Sequence, residues 1–422
     1  MFPVAKFELV LLAMIFTMIL PAWLTGHPEI WKPAAAIGPV VLAIALRFSK
    51  QFRNYQFTAW IIAAVTVAMI YPQWFSKWGG FDLQNKWVKL LVVQTVMFGM
   101  GTQMSLQDFA GVVKNPRGVF VGIFCHFTVM PLVGLALTKL FHFEPEIAAG
   151  IILIGSCSSG LASNVMAYIA KSNLALSVTV TAMTTVVAPF ITPFWVKWLA
   201  GAEVTMTYFG MMMEIIKIVI VPIGAALLHD YLKHASSRGR TVVQVLATLG
   251  AVWLGFVAFG GWGWLKESLS EDGLVCAGIF GFFCAAIVFG VVYHRLSRVV
   301  VKLDSWMPAA SMAGIVYFTT ITTAAGRDNL LKVGLLLFLA SVIHNALGYV
   351  FGYWLSRASG LDKNSARSVA FEVGLQNGAM ASGLAAQMGK LGTIGLAAAI
   401  FSPWMNVSGS VLANYWRRHP AK

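Results

Sequence analysis

The sequence predicts an all-α polytopic membrane protein of about fourteen spanning helices, arranged as two inverted sets of seven. Three observations predict it. Of the 422 residues, 58% are hydrophobic and only 11% are charged, where a soluble domain carries about 25% charged residues. The apolar residues lie in runs close to the ~20 that cross a bilayer. The charged residues fall in the short gaps between those runs, and no soluble domain or low-complexity tail breaks the series.

The runs fall near 7–25, 34–49, 56–75, 86–104, 117–140, 146–170 and 174–199. A second series falls near 207–229, 241–262, 273–296, 306–325, 335–356, 366–389 and 391–416. The first run has Lys6 before it and no A-x-A cleavage site after it, so it reads as a retained helix and not a signal peptide. The run at 34–49 is short and follows Pro33, which makes it the weakest of the series. Seven is odd, so two similar halves have opposite orientations in the membrane, the plan of many secondary transporters. An internal echo supports this. Ser159-Gly160-Leu161-Ala162-Ser163 resembles Asn377-Gly378-Ala379-Met380-Ala381-Ser382, and a lysine, Lys171 or Lys390, follows each.

The formal charge is +14. In a soluble chain that would point to nucleic acid. Here no basic block with interleaved aromatics occurs, and the charge reads as membrane orientation. With the amino terminus inside, the inner loops hold most of the Lys and Arg, including Lys50, Arg53, Lys114, Arg117, Arg238, Arg298 and Arg357. Both ends are therefore expected to be cytoplasmic. The four cysteines, Cys125, Cys157, Cys276 and Cys284, lie in apolar runs with no CxxC pair. Each is expected to be a small buried hydrophobe, with no disulfide framework or zinc site.

Two runs are not continuously apolar. Ser156-Cys157-Ser158-Ser159-Gly160 and Ser163-Asn164 interrupt one. Glu372, Gly374, Gln376, Asn377 and Gly378 interrupt the other. Unwound backbone at membrane depth is tolerated only where it is buried or lines a cavity. Matched broken helices are the best sequence pointer to a substrate site. Freed carbonyls suit a cation and half-helix amino ends suit an anion. The plainer alternative is a pair of kinked packing helices with Gly and Ser at tight crossings. Glu372 favours a site. Glu8 lies near a membrane face, and Glu214 and Lys217, spaced i, i+3, can pair with each other. Glu372 has no cation near it in sequence. An intramembrane ionisable group is a functional hypothesis by default.

Several stretches resemble the bile acid:sodium symporter family. They are Phe98-Gly99-Met100-Gly101, Lys114-Asn115-Pro116-Arg117, Met130-Pro131-Leu132, Ala162-Ser163-Asn164-Val165-Met166, Ala175-Leu176-Ser177-Val178-Thr179, His344-Asn345-Ala346-Leu347-Gly348-Tyr349, Glu372-Val373-Gly374-Leu375-Gln376-Asn377 and Asn406-Val407-Ser408-Gly409-Ser410. They recur in family order, and the resemblance covers about 86–230 and 302–416. It implies two crossing broken helices, a core domain beside a panel domain, and sodium-coupled symport of a small organic anion by alternating access. It places one sodium ion among Ser163, Asn164, Ser177, Thr181 and Glu372. A second would use Glu372, Gln376 and the carbonyls of Val373 and Leu375. Asn377 and Asn406 match positions near the organic substrate. Sodium takes hard oxygen ligands, which this inventory supplies. Beyond sodium no cofactor is implied, and the partners are the bilayer and the substrate.

Three departures stand out. The family usually has Gln at the position of His126, so the second sodium site is expected to be weakened or replaced by a proton; the alternative is a satisfied core histidine. Leu161 stands where Thr is frequent, so family substrates do not transfer directly. The family has ten helices in two inverted repeats of five, and this chain has four more runs. The core is then expected at 117–199 and 335–416, and the panel at 7–104 and 207–325. Proton-coupled or facilitated transport on the same fold is the main alternative. An intramembrane enzyme lacks a placed base or HExxH motif, and a sensor lacks a signalling domain. Substrate identity and oligomeric state stay open.

Overall fold

The computed structural model describes residues 26–48, 56–201, 204 and 206–421. Every expected apolar segment within them is helical. In chain order the helices are α1 Pro28–Leu46, α2 Gln56–Ile70, α3 Lys86–Gly101, α4 Pro116–Phe141, α5 Pro145–Ser156, α6 Ala162–Ile169 and α7 Leu174–Ala200. They continue as α8 Tyr208–His234, α9 Ser237–Ser268, α10 Glu271–Val299, α11 Leu303–Ala325, α12 Arg327–Ala358, α13 Lys363–Gly374, α14 Gly378–Gln387 and α15 Gly395–Arg418. The run at 7–25, with Glu8, lies outside the described residues. Eight of the helices are long and apolar enough to cross a bilayer on length and composition. Among the described residues, one small hairpin pairs Lys77–Trp78 with Phe81–Asp82.

Local chemistry sets the helix starts. Pro28, Pro116 and Pro145 occupy first-turn positions, where a missing N–H costs nothing. Asn115, Asn173, Thr207, Ser236, Ser270, Asp362 and Asn377 each cap a first turn with a side-chain oxygen. The run at 34–49 therefore begins earlier than expected, at Pro28.

The two interrupted segments are broken where the sequence placed the interruptions. Cys157 leaves the helix with ψ 166°, and Leu375 with ψ 104°. The two unwound stretches cross, and Ser159 and Gln376 form an antiparallel bridge. Gly160 N–H donates to the Leu375 carbonyl at 2.9 Å, and Asn377 N–H to the Ser158 carbonyl at 2.8 Å. Each break thus satisfies backbone groups that lipid would leave unpaired.

Packing follows from this crossing. α4, α5, α7, α12, α13 and α15 pack on one another around the breaks, and α6 lies against α7, α13 and α15. α2, α3, α8 and α11 form a neighbouring set, which meets the first through α14 on α3 and α15 on α11. α9 packs on α10, and α10 on α8. α9 and α10 are surplus to the ten helices of the resemblance, and they stand away from the crossing. Cys125, Cys157 and Cys284 are buried as expected; Cys276 is exposed on α10, because that helix has few neighbours to cover it.

The crossing leaves no room for a side chain at Gly160. A Cβ there would lie 2.7 Å from the Gln376 carbonyl oxygen. Gly160→Ala should lower stability by about 1–3 kcal/mol, read as a lower melting temperature in detergent. Gly255→Ala, inside a helix where a Cβ meets nothing within 4 Å, should not lower it, since Ala favours helix over Gly.

Candidate functional site

Glu372 lies in the last turn of α13 and is fully buried. Ser177 of α7 donates to its Oε1. Thr181, one turn further along α7, donates to its Oε2 at 2.8 Å. Both hydroxyls also lie near Asn164 Oδ1 of α6, at 3.0 and 3.2 Å. Ser163 Oγ sits 3.2 Å from Thr181 Oγ1 and spends its proton on the Gly160 carbonyl at 2.8 Å. The structure thus brings Ser163, Asn164, Ser177, Thr181 and Glu372 together around one point. No Lys or Arg forms an ion pair with Glu372 among the described residues. Lys217 pairs with Glu214 at 2.6 Å, as the i, i+3 spacing suggested.

Counting protons is instructive. A hydroxyl has one proton to give. If Ser177 and Thr181 serve the two carboxylate oxygens, none is left for Asn164 Oδ1. Nor does Ser163 have one for Thr181. The cluster holds more oxygen lone pairs than protons, which is the composition of a cation site.

The break after α13 adds to this surplus. Gln376 is buried; its Nε2 donates to the Val373 carbonyl at 2.8 Å, and its Oε1 has no donor among the described residues. The Leu375 carbonyl already accepts from Gly160 N–H and, at 3.3 Å, from Ser159 Oγ. Of the expected second set, Gln376 offers an open oxygen, the Val373 carbonyl accepts from Gln376 Nε2, and the Leu375 carbonyl is engaged in the crossing.

His126 of α4 is fully buried and bridges the two breaks. Its Nδ1 lies 2.9 Å from the Glu372 carbonyl oxygen and its Nε2 lies 2.8 Å from the Cys157 carbonyl oxygen. Both partners only accept. A neutral ring has one N–H and meets one of them; a ring with both protons meets both.

On the other side of the crossing is a cavity of about 210 Å³. Leu161, Asn377 and Asn406 line it together, with Gln376 at its wall. Asn377 Oδ1 caps α14 through Met380 N–H at 3.0 Å, and its buried Nδ2 has no acceptor. Asn406 Nδ2 donates to the Ser402 carbonyl at 2.8 Å. The amino ends of α6 and α14 both open on this cavity. Gln103, in the turn after α3, and Ser311 of α11 also line it; as lone polar residues in apolar runs they gave no signal in the sequence. Sequence reasoning also missed two supports. Thr184 Oγ1 accepts from Ser159 N–H at 3.3 Å, and Asn345 Nδ2 donates to the Gly374 carbonyl at 2.8 Å. His344 donates to or accepts from no site residue; its Nε2 meets the Met130 carbonyl at 2.9 Å, a helix-packing contact.

Known proteins resemble this chain along most of its length. The family model described as "Sodium Bile acid symporter family" matches residues 90–264. A Bacillus subtilis protein named "Uncharacterized sodium-dependent transporter YocS" is 29% identical over 89% of this chain and 95% of its own length. An Arabidopsis thaliana protein named "Probable sodium/metabolite cotransporter BASS1, chloroplastic" is 28% identical over 87% of this chain and 74% of its own. The human "Ileal sodium/bile acid cotransporter" is 25% identical over 69% of this chain and 66% of its own. These relatives are transporters and not enzymes. With the crossing broken helices and the buried carboxylate between them, the chain is similar to the sodium bile acid symporter family.

Proposed function

We propose that this protein is a sodium-coupled symporter that carries a small organic anion by alternating access. The observation that carries the reading is the Glu372 cluster, where acceptor oxygens outnumber protons and no Lys or Arg among the described residues pairs with the carboxylate. Sodium would be held by Ser163, Asn164, Ser177, Thr181 and Glu372. Gln376, with Glu372 and the carbonyls of Val373 and Leu375, would hold a second ion. The anion would sit against Leu161, Asn377 and Asn406, where the Asn377 amide has a proton to give and two half-helix amino ends face the same space. Cation and anion are then a few residues apart on α13 and α14, so binding of one stabilises the other.

Motion follows the packing. Residues 117–199 and 335–416 act as the core, and 7–104 and 207–325 as the panel, each pair being the matching parts of two inverted seven-helix halves. Rocking of the core against the panel exposes the central cavity to each side in turn. The membrane potential supplies about 2.3 kcal/mol per charge per 100 mV. The chain resides in a bacterial inner membrane with both termini cytoplasmic, supported by the distribution of Lys and Arg and by the Bacillus relative.

A second reading keeps the fold and couples transport to a proton at the second site. His126 favours it, because only a doubly protonated ring satisfies both carbonyls it touches.

Two experiments separate these readings. Sodium at a hundred times its Kd should stabilise the purified protein by about 2.7 kcal/mol, seen as a rise in melting temperature over potassium at equal ionic strength. Glu372→Gln should abolish the rise, and Thr181→Val should shrink it. No rise in the unaltered protein at any pH would sink sodium coupling. For the second reading, His126→Gln should flatten the pH dependence of transport in proteoliposomes; a profile matching the unaltered protein would exclude a proton at His126.

A further inference from the structure

At one end of the bundle the last turns of α8 and α10 meet the first turns of α9. Leu232, Val243 and Val291, one from each helix, form a small apolar core there. Around it stand Lys233 at the end of α8, Arg238 and Arg240 at the start of α9, Arg295 and Arg298 at the end of α10, and Lys302 just before α11.

The acids of this end do not balance these charges. Asp304 of α11 takes Tyr293 on one oxygen at 2.9 Å, and His229 at 3.2 Å and Lys233 at 3.0 Å on the other. Asp230, the other acid here, acts on His229. Neither Arg240 nor Arg298 forms an ion pair with any described residue, and the buried Nε of Arg240 has no acceptor. Arginines elsewhere at this end of the bundle are committed. Arg357 donates to the Leu361 carbonyl, and Arg367 to the His419 carbonyl at 2.8 Å.

The two free arginines converge on a buried histidine. His294, one turn before Arg298 on α10, is 8% exposed. Arg298, Arg240 and Lys233 all act on its charge. Its Nδ1 lies 3.3 Å from His229 Nδ1. The ionised Asp304 takes the His229 Nε2 proton, so His229 Nδ1 accepts and His294 Nδ1 donates. His294 Nε2 is then left with no partner among the described residues. A nine-tenths buried ring with an open nitrogen, between two guanidinium groups without acceptors, matches an oxyanion with several acceptor oxygens. Guanidinium forks fit phosphate in particular.

The surroundings say what carries the phosphate. Val299, Val301 and Trp306, at the α10–α11 turn, are exposed. A molecule that seats a phosphate at Arg240 and Arg298 therefore lays its remainder on apolar surface. Helix ends of a membrane protein lie at the headgroup layer, and on the proposed orientation this end meets the cytoplasmic leaflet, whose anionic lipids attract basic segments.

We propose that this end of α8, α9 and α10 binds an anionic phospholipid, with Arg240 and Arg298 clamping its phosphate. Through His229, His294 and Asp304 the same cluster joins α10 to α8 and α11. The bound lipid thus fastens the two helices surplus to the resemblance onto the neighbouring set.

The test titrates phosphatidylglycerol into the full chain in uncharged detergent and reads the rise in melting temperature, which reports a ligand of the folded state. Phosphatidylcholine with the same acyl chains is the comparison. Phosphatidylglycerol should give the larger rise. Arg240→Gln with Arg298→Gln should weaken its apparent affinity about thirtyfold, about fivefold for each arginine. Lysine at both positions should restore most of it, and Lys114→Gln, on other helices, should leave it unchanged. An unaltered melting temperature in phosphatidylcholine shows that the double variant is folded. Where it is lowered, the exposed Arg298→Gln alone serves, with its fivefold loss. Full affinity in these variants overturns the proposal, as does an equal rise with phosphatidylcholine. A rise of the same size with glycerol phosphate alone also overturns it, since the site would then take a soluble anion and not a lipid.

Discussion

The fold depends on two backbone hydrogen bonds between segments more than two hundred residues apart in the chain. Gly160 N–H to the Leu375 carbonyl and Asn377 N–H to the Ser158 carbonyl hold two unwound stretches against each other inside the helical bundle. Either stretch alone would expose unpaired amides and carbonyls at membrane depth, which lipid cannot satisfy. Together they close most of that deficit. The remaining groups are taken by Asn345, Thr184 and His126. Once the crossing is fixed, α13 delivers Glu372 to the hydroxyls of α7, and α14 turns its amino end towards the central cavity. The Glu372 cluster and the cavity lined by Asn377 are thus two sides of one constraint.

Much of this was legible in the sequence because membranes impose a strict code. An apolar run with Ser, Gly, Asn or Glu inside it is an exception that has to be explained, and both such runs proved to be broken. Ser163, Asn164, Ser177, Thr181 and Glu372 converge as the resemblance implied. Leu161, Asn377 and Asn406 share one cavity. The helices themselves followed the hydropathy, with starts moved by prolines and caps.

The rest needed coordinates for physical reasons. A hydrogen bond between residues 160 and 375 has no periodic signature. The partners of the Val373 and Leu375 carbonyls, Gln376 Nε2 and Gly160 N–H, follow from the break and the crossing and have no sequence pattern of their own. His126 was visible as a departure from family usage, yet its bridging of two carbonyls depends on where α4 passes the breaks.

The shortage of protons around Glu372 has one more consequence. Among the described residues, Gln376 Oε1 is buried without a donor and Glu372 without a counter-ion. A single unmet buried acceptor costs about 1–3 kcal/mol, and a charged one costs more. On the proposed mechanism, an unloaded core would carry that penalty and be held back from cycling, so the oxygens proposed to recognise the ion would also make the idle carrier reluctant to move, with no separate lock.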